Sequence, residues 1–371
     1  MEKVKRNSSI ELLKIIAIVF IVMCHAVPYS GLVNGIHFFD PTLATSNISE
    51  LILIIFRYLG GFGNVIFVIC SSYFLIDNDR VKISKILSII ITSFFISMFF
   101  LSIGMMMKLK LSFIVIIKQF FPITFNNTWF ITCYLLLYIF HPMLNKVINN
   151  STREELLKMN FIFFVLYSII SFILKDNFYY NELTSFIIIY FYTAYYKKYL
   201  KKDRIKKENR ILFILIILFL LLIVITNILG LKLNIFKDKM THWAKPLNPL
   251  TILICFIIFN KFNKLNFYNR KINVISSLSL VIYLLHENYI FREYIKPKYY
   301  DKIIGQNMIY GYFKLFTIIL MFSFTLAIIY KYTINKLIIK ISEYLELKLK
   351  KIYYFLKNNC KKSKKEKVGL Y

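Results

Sequence analysis

Apolar residues fall along this chain in long blocks set apart by short polar stretches. Ten such blocks stand at roughly 10–28, 51–76, 84–107, 128–145, 159–174, 183–199, 211–230, 246–261, 274–291 and 308–330. A helix needs about 20 apolar residues to cross a hydrocarbon layer ~30 Å thick. The pattern therefore predicts an all-α integral membrane protein, a bundle of about ten transmembrane helices. The blocks at 159–174 and 246–261 are short, and the apolar segment 111–121 is too short to cross, so it reads as interfacial or re-entrant. Residues 333–356 alternate Ile and Leu with Lys and Glu at helical spacing, the pattern of an amphipathic helix on a membrane surface. The expected organisation is a transmembrane unit over 1–332, then an amphipathic helix and a loose basic tail over 333–371.

Charge gives the bundle a direction. With the N-terminus inside, the inside segments carry 33 Lys and Arg and the outside segments 12. The loop KKYLKKDRIKK is the strongest orienting signal. Cytoplasmic segments carry the positive excess, so both termini are expected in the cytoplasm. The net charge of +29 is spread over these loops and the tail. It reads as attraction to anionic lipid, and no basic stretch accompanies a recognisable nucleic-acid-binding fold. Composition agrees, with 58% hydrophobic residues and a mean hydropathy of +0.60, against about 45–50% apolar in soluble domains.

Cysteine usage and the N-terminus narrow the picture further. Cys24, Cys70, Cys133, Cys255 and Cys360 are scattered without CxxC or Cys/His spacing, so neither a disulfide framework nor a metal site is expected. Lys3, Lys5 and Arg6 precede the first block as in a signal peptide, but MCHAVPYSG offers no A-x-A cleavage site and the block is long enough to span. Lysine outnumbers arginine 40 to 8, and Ile, Asn, Phe and Tyr abound. That composition fits an A/T-rich bacterial genome, hence a multi-pass protein of a bacterial cytoplasmic membrane.

Ionisable groups inside spans are costly and face the bundle interior, which makes them the candidates for chemistry. In the first block Lys14 and His25 are eleven residues apart. At 100° per residue they share one helix face, separated axially by ~16 Å, with Lys14 toward the cytoplasmic end and His25 toward the outer end. Glu11 lies one turn below Lys14 on nearly the same face. In the second block Arg57 and Asn64 share a face, and Gly60, Gly61 and Gly63 permit close approach of another backbone. In the fourth, Trp129 stands at the outer boundary, and Tyr134, Tyr138 and His141 form one stripe. In the ninth, Tyr283 shares one stripe with Ser279 and His286 and an overlapping one with Ser276 and Glu287, and His286 and Glu287 reach about the depth of His25. Plainer readings stand beside each: Lys14 snorkelling to the interface, Trp129 in an aromatic belt, and Arg57, His141, His25 and His286 as polar decoration of the boundaries. His37, Asp40, Lys175, Asp176 and His242 fall in expected outer loops and need only solvation.

These residues resemble the membrane-bound acyltransferase 3 family, whose hallmark is an Arg, ten residues and a His in the first span. Here RNSSIELLKIIAIVFIVMCHA carries Lys14, ten residues and His25. GNVIFVICSSYFLI, TWFITCYLLLYIFHPMLN and SSLSLVIYLLHEN are similar to later segments of that family, in the same order. Two positions depart from it. Lys14 replaces the arginine, keeping the charge but not the planar fork, and Ser72 stands where a Gly is usual.

The resemblance implies transfer of an acyl group, acetyl first among the options, from acyl-CoA to a hydroxyl of an extracytoplasmic or lipid-linked glycan. Acyl-CoA would be a co-substrate, with no bound cofactor. A hydroxyl needs a base near neutral pH, which histidine supplies. His25 would act as that base or as a transient acyl carrier. Lys14 would meet the anionic part of the donor. Arg57, Trp129, Tyr134, Tyr283, His286 and Glu287 would line the pocket and its acceptor side. Two other classes share the pattern: a polytopic glycan exporter or polymerase, and a non-catalytic member of the same fold. Oligomeric state leaves no trace in the sequence.

Overall fold

A computed structural model describes residues 7–27, 32–33, 36–37, 40–125, 128–170, 173, 181–200, 207–233, 236–299 and 307–368. Lys175, Asp176 and much of the basic loop 197–207 lie outside these residues, as do the side chains of His37 and Cys360. The described chain is almost wholly helical. The one sheet is a two-residue hairpin, Leu32–Val33 (β1) paired antiparallel with Ile36–His37 (β2).

Among the described residues all ten expected blocks fall on helix, but not all are simple spans. Six α-helices are long and apolar enough to cross: α1 (Ser8–Ala26), α2 (Ile48–Leu75), α3 (Ile83–Met106), α5 (Trp129–Asn150), α8 (Glu208–Leu233) and α12 (Met308–Thr333). A seventh crossing is His242–Lys264, a single 3-10 turn leading into α9 (Pro249–Lys264). The helix pair Arg270–His286 plus Phe291–Tyr299, bent by 54°, has the length and composition of an eighth crossing when taken as one broken span and of a re-entrant loop otherwise. It contains α10 (Arg270–Ser276) and α11 (Ser279–His286). The remaining two blocks are α6 (Arg153–Phe163) and α7 (Glu182–Tyr195), each running into a π-helical stretch, Phe164–Ile170 and Tyr196–Leu200. Segment 111–121 holds the short helix α4 (Phe113–Phe120), which is too short to cross, as expected.

The first two helices form the spine of the bundle, and glycine sets their spacing. A Cβ at Gly63 would lie 2.7 Å from the Ala17 carbonyl oxygen and 2.7 Å from Ile21 Cγ1, and one at Gly60 would lie 2.5 Å from Cys24 Sγ. The backbone anticipated opposite these glycines is therefore α1, the helix carrying Lys14 and His25. Gly63→Ala is expected to push the two helices apart at a cost of about 1–3 kcal/mol. A clear fall in the apparent melting temperature of the detergent-solubilised protein checks it; an unchanged value would refute the close contact.

α1 is fastened at both ends. Asn7 Oδ1 accepts the Ser9 N–H at 3.0 Å, the N-cap bond. Ser8 Oγ donates to Asn273 Oδ1 at 2.8 Å, and Ser276 Oγ donates to Glu11 Oε2 at 2.5 Å, tying the first turn to α10. At the other end, where Cys24 O accepts the Val27 N–H of the C-cap at 3.3 Å, the last carbonyls of the helix also receive side chains from three different segments. Tyr312 donates to Met23 O at 3.0 Å, Arg57 to Cys24 O at 3.3 Å and Lys296 to His25 O at 2.9 Å.

The last helix, α13 (Asn335–Val368), extends through most of the tail expected to be loose. It docks on α3. The N-cap of α3 is Lys82, which offers no capping side chain, and Glu346 from α13 accepts the Ser84 N–H at 2.9 Å instead. Hydrogen bonds from Lys350 and then from Ser84 hold the Glu346 carboxyl at about 2. The contact is thus fully present above the ordinary carboxylate range and is lost only as pH falls toward 2.

Candidate active site

Two side chains placed by separate helices meet at the end of α1. His25, on its last turn, and His286, on the last turn of α11, approach with Nδ1 of the first 3.1 Å from Nε2 of the second. Glu287 follows His286 at the bend of the helix pair, and its Oε1 lies 3.1 Å from the same His25 Nδ1. His286 and Glu287 are buried, whereas the His25 side chain keeps 21% of its surface exposed.

The hydrogen bonds fix the tautomers. His286 Nδ1 lies 2.6 Å from the carbonyl oxygen of Ile282. A carbonyl only accepts, so this nitrogen carries the proton and His286 Nε2 presents its lone pair to His25. The proton between the rings therefore belongs to His25 Nδ1, and neutral His25 has its lone pair on Nε2. Glu287 Oε1 is near in distance but accepts no well-directed hydrogen bond among the described residues. It stands beside the imidazole as a negative charge.

Two cations that the sequence pattern does not single out, Arg292 and Lys296, complete the cluster. The chain turns back after Glu287, with Asn288 Oδ1 accepting the Ile290 N–H at 3.0 Å. That turn brings Arg292 Nη1 to Glu287 Oε2 at 3.0 Å, while Arg292 Nε binds Glu293 at 2.6 Å. It also brings Lys296 under the end of α1. The carboxylate is thus gripped on one oxygen and turned to His25 with the other.

His25, His286 and Glu287 have donor atoms within 4.8 Å of one another, close enough to share a cation. The contacts have a simpler cause. The rings hydrogen-bond directly, one carboxylate oxygen is taken by Arg292, and Lys296 adds a second positive charge alongside.

Lys14 sits at the other end of the same helix. It pairs with Glu11 at 3.4 Å and lies 5.3 Å from the Phe74 ring centroid. It lines a cavity of about 470 Å³ whose walls also include Ser84, Lys85, Phe67, Tyr134, Ser276 and Tyr283. Ile18, Ile21, Phe130 and Leu280 line it as well, so polar and apolar side chains share its walls. Tyr283 joins the two halves of the site. Its ring faces the cavity and meets the His286 ring edge-on at 5.8 Å between centroids, with Phe130 behind it at 5.5 Å.

The remaining candidates are placed less centrally. Arg57 holds the backbone and sulfur of Cys24 at 3.3 and 3.5 Å, one residue from His25. Trp129 packs edge-on against Phe130 and Phe186, among rings and not beside the histidines. His141 is buried with Nδ1 2.5 Å from the Tyr138 carbonyl, in a separate cluster. Of the residues set aside as solvated, Asp40 caps a turn through Thr42, and the His242 ring packs edge-on against Trp243. Lys85, unremarked in the sequence, lies 4.2 Å from the Tyr138 ring centroid at the cavity wall.

Comparison with known proteins adds one finding. The family model described as an acyltransferase domain, Acyl_transf_3, matches residues 7–331. No curated protein and no solved structure matches the chain.

Proposed function

Because the chain belongs to the acyltransferase 3 family and is a multi-pass membrane protein, we propose that it moves an acyl group, acetyl in the first instance, from acyl-CoA to a hydroxyl of an extracytoplasmic or lipid-linked glycan. The observation that carries the reading is one helix bearing both ends of the site. Lys14 opens on the cavity at one end, and His25 meets His286 and Glu287 at the other.

The chemistry follows from the tautomers. The acceptor hydroxyl gives its proton to His25 Nε2 as its oxygen attacks the thioester carbonyl. The tetrahedral intermediate collapses, the carbon–sulfur bond breaks, and the coenzyme A thiolate leaves and takes up the proton. The products are one ester and one thiol. Glu287 stabilises the imidazolium that forms, because its Oε1 stands 3.1 Å from Nδ1 and its other oxygen is steadied by Arg292. Lys14 and Lys85 supply positive charge for the donor phosphates. The apolar side chains of the cavity walls, Phe130 among them, accommodate the uncharged arm that carries the thioester. The positive-inside distribution supports a cytoplasmic position for the Lys14 end, on the side where acyl-CoA is made.

Mass spectrometry of surface glycans from cells with and without the gene tests the assignment. The expected result is a loss of mass equal to one acyl group per modified unit when the gene is removed, restored on complementation. Identical glycans in both strains would reject it.

A further inference from the structure

The cavity is not walled by the family-matched region alone. Ile339, Ser342 and Glu343 of α13 line it, and they lie beyond residue 331, where the family match ends. We propose that α13 is a lipid-tethered wall of the donor cavity: an anionic membrane surface holds the helix against α3, and the held helix shields the end of the cavity that contains Lys14 and Lys85. The donor part of this statement rests on the function proposed above; the wall and its tether do not.

Three observations carry it. The first is the docking itself. Ile338 and Ser342 are buried, and Glu346 supplies the N-cap that α3 lacks in its own sequence. Ser84 and Lys85, next to that cap, are cavity residues, so the contact that anchors the helix also borders the site. The second is the opposite side of the helix. Leu337, Ile341, Tyr344, Leu347, Ile352 and Phe355 are all exposed. This apolar surface belongs to a segment with eleven lysines and three glutamates over residues 335–371. Apolar side chains among lysines suit the boundary between headgroups and acyl chains of an anionic bilayer. The third is Lys348, whose Nζ lies 4.9 Å from the Tyr344 ring centroid. An ammonium over an aromatic ring is an amphipathic pair of the kind that suits that boundary. The occupant is therefore a bilayer with negative headgroups, because a neutral surface would leave the lysines without counter-charge.

Accessibility of the cavity wall reads the state of the helix without any need for turnover. Ser88 lines the cavity, and the full chain carrying Ser88→Cys and Cys360→Ser is placed in nanodiscs of phosphatidylcholine alone, or with phosphatidylglycerol added, and labelled with a charged maleimide. The expected result is several-fold slower labelling at residue 88 when phosphatidylglycerol is present. Glu346→Ala, which removes the oxygen that accepts the Ser84 N–H, speeds labelling in both lipids, and Lys348→Gln with Lys351→Gln removes the difference between them. Equal labelling of the parent chain in the two lipids, or a Glu346→Ala chain labelled as slowly as the parent, would overturn the proposal. Added acetyl-CoA tests the donor reading separately. Lipid-dependent labelling that acetyl-CoA does not slow would keep the wall and reject the donor.

Discussion

His25→Ala is expected to lower acyl transfer by about 10²–10⁴-fold, the range a positioned general base contributes. The substitution removes the lone pair on Nε2 and leaves His286 Nε2 without the proton it accepts at 3.1 Å. The loss should fall on kcat, because the donor cavity is lined by other residues. Incorporation of labelled acetyl into membrane glycan, measured over a range of acetyl-CoA concentrations, checks it. The fold should survive, since the α1 terminus is held through the carbonyls of residues 23–25 and not through the imidazole. A variant that keeps its thermal stability and its full kcat would remove His25 from the chemistry.

Glu287→Gln is expected to lower kcat by about 10²-fold, with little change in the KM for acyl-CoA. The amide keeps the size of the carboxylate and cancels the charge 3.1 Å from His25 Nδ1. The imidazolium formed during transfer then loses its counter-charge. Arg292 retains Glu293 at 2.6 Å, so the substitution does not strand an unpaired guanidinium. A purely structural Glu287 would give a less stable protein with an unchanged kcat per folded molecule. Measuring kcat, KM and melting temperature on one preparation separates the two cases.

How far the site was legible in the sequence depends on which geometry fixes each residue. Lys14 and His25 share one helix, and helical rise and rotation alone put them on one face. His286 and Glu287 were assigned their depth through topology, but their distance to His25 depends on the packing of α11 against α1, which no local pattern encodes. Arg292 and Lys296 were passed over because they follow the end of an apolar block and look like loop charges. The bend at Asn288 brings them back over the site, and it occurs without a proline or glycine to announce it. The glycines of the second block announced a close neighbour but not its identity. Simple block counting also missed that two helical blocks run into π-helical stretches and that the ninth block is broken by a bend. Trp129 shows in the sequence only as a boundary residue, and its packing against Phe130 and Phe186 depends on tertiary contacts that no local pattern encodes.

The central claim is that one helix connects a donor at its Lys14 end with an acceptor at its His25 end, across the membrane. Sealed inside-out vesicles test it most directly, because acetyl-CoA added outside meets only the cytoplasmic face. The account predicts labelled acetyl esters on glycan enclosed in the lumen, and none in vesicles carrying His25→Ala. Transfer that requires acetyl-CoA inside the lumen, or that continues unchanged in the His25→Ala vesicles, would contradict it.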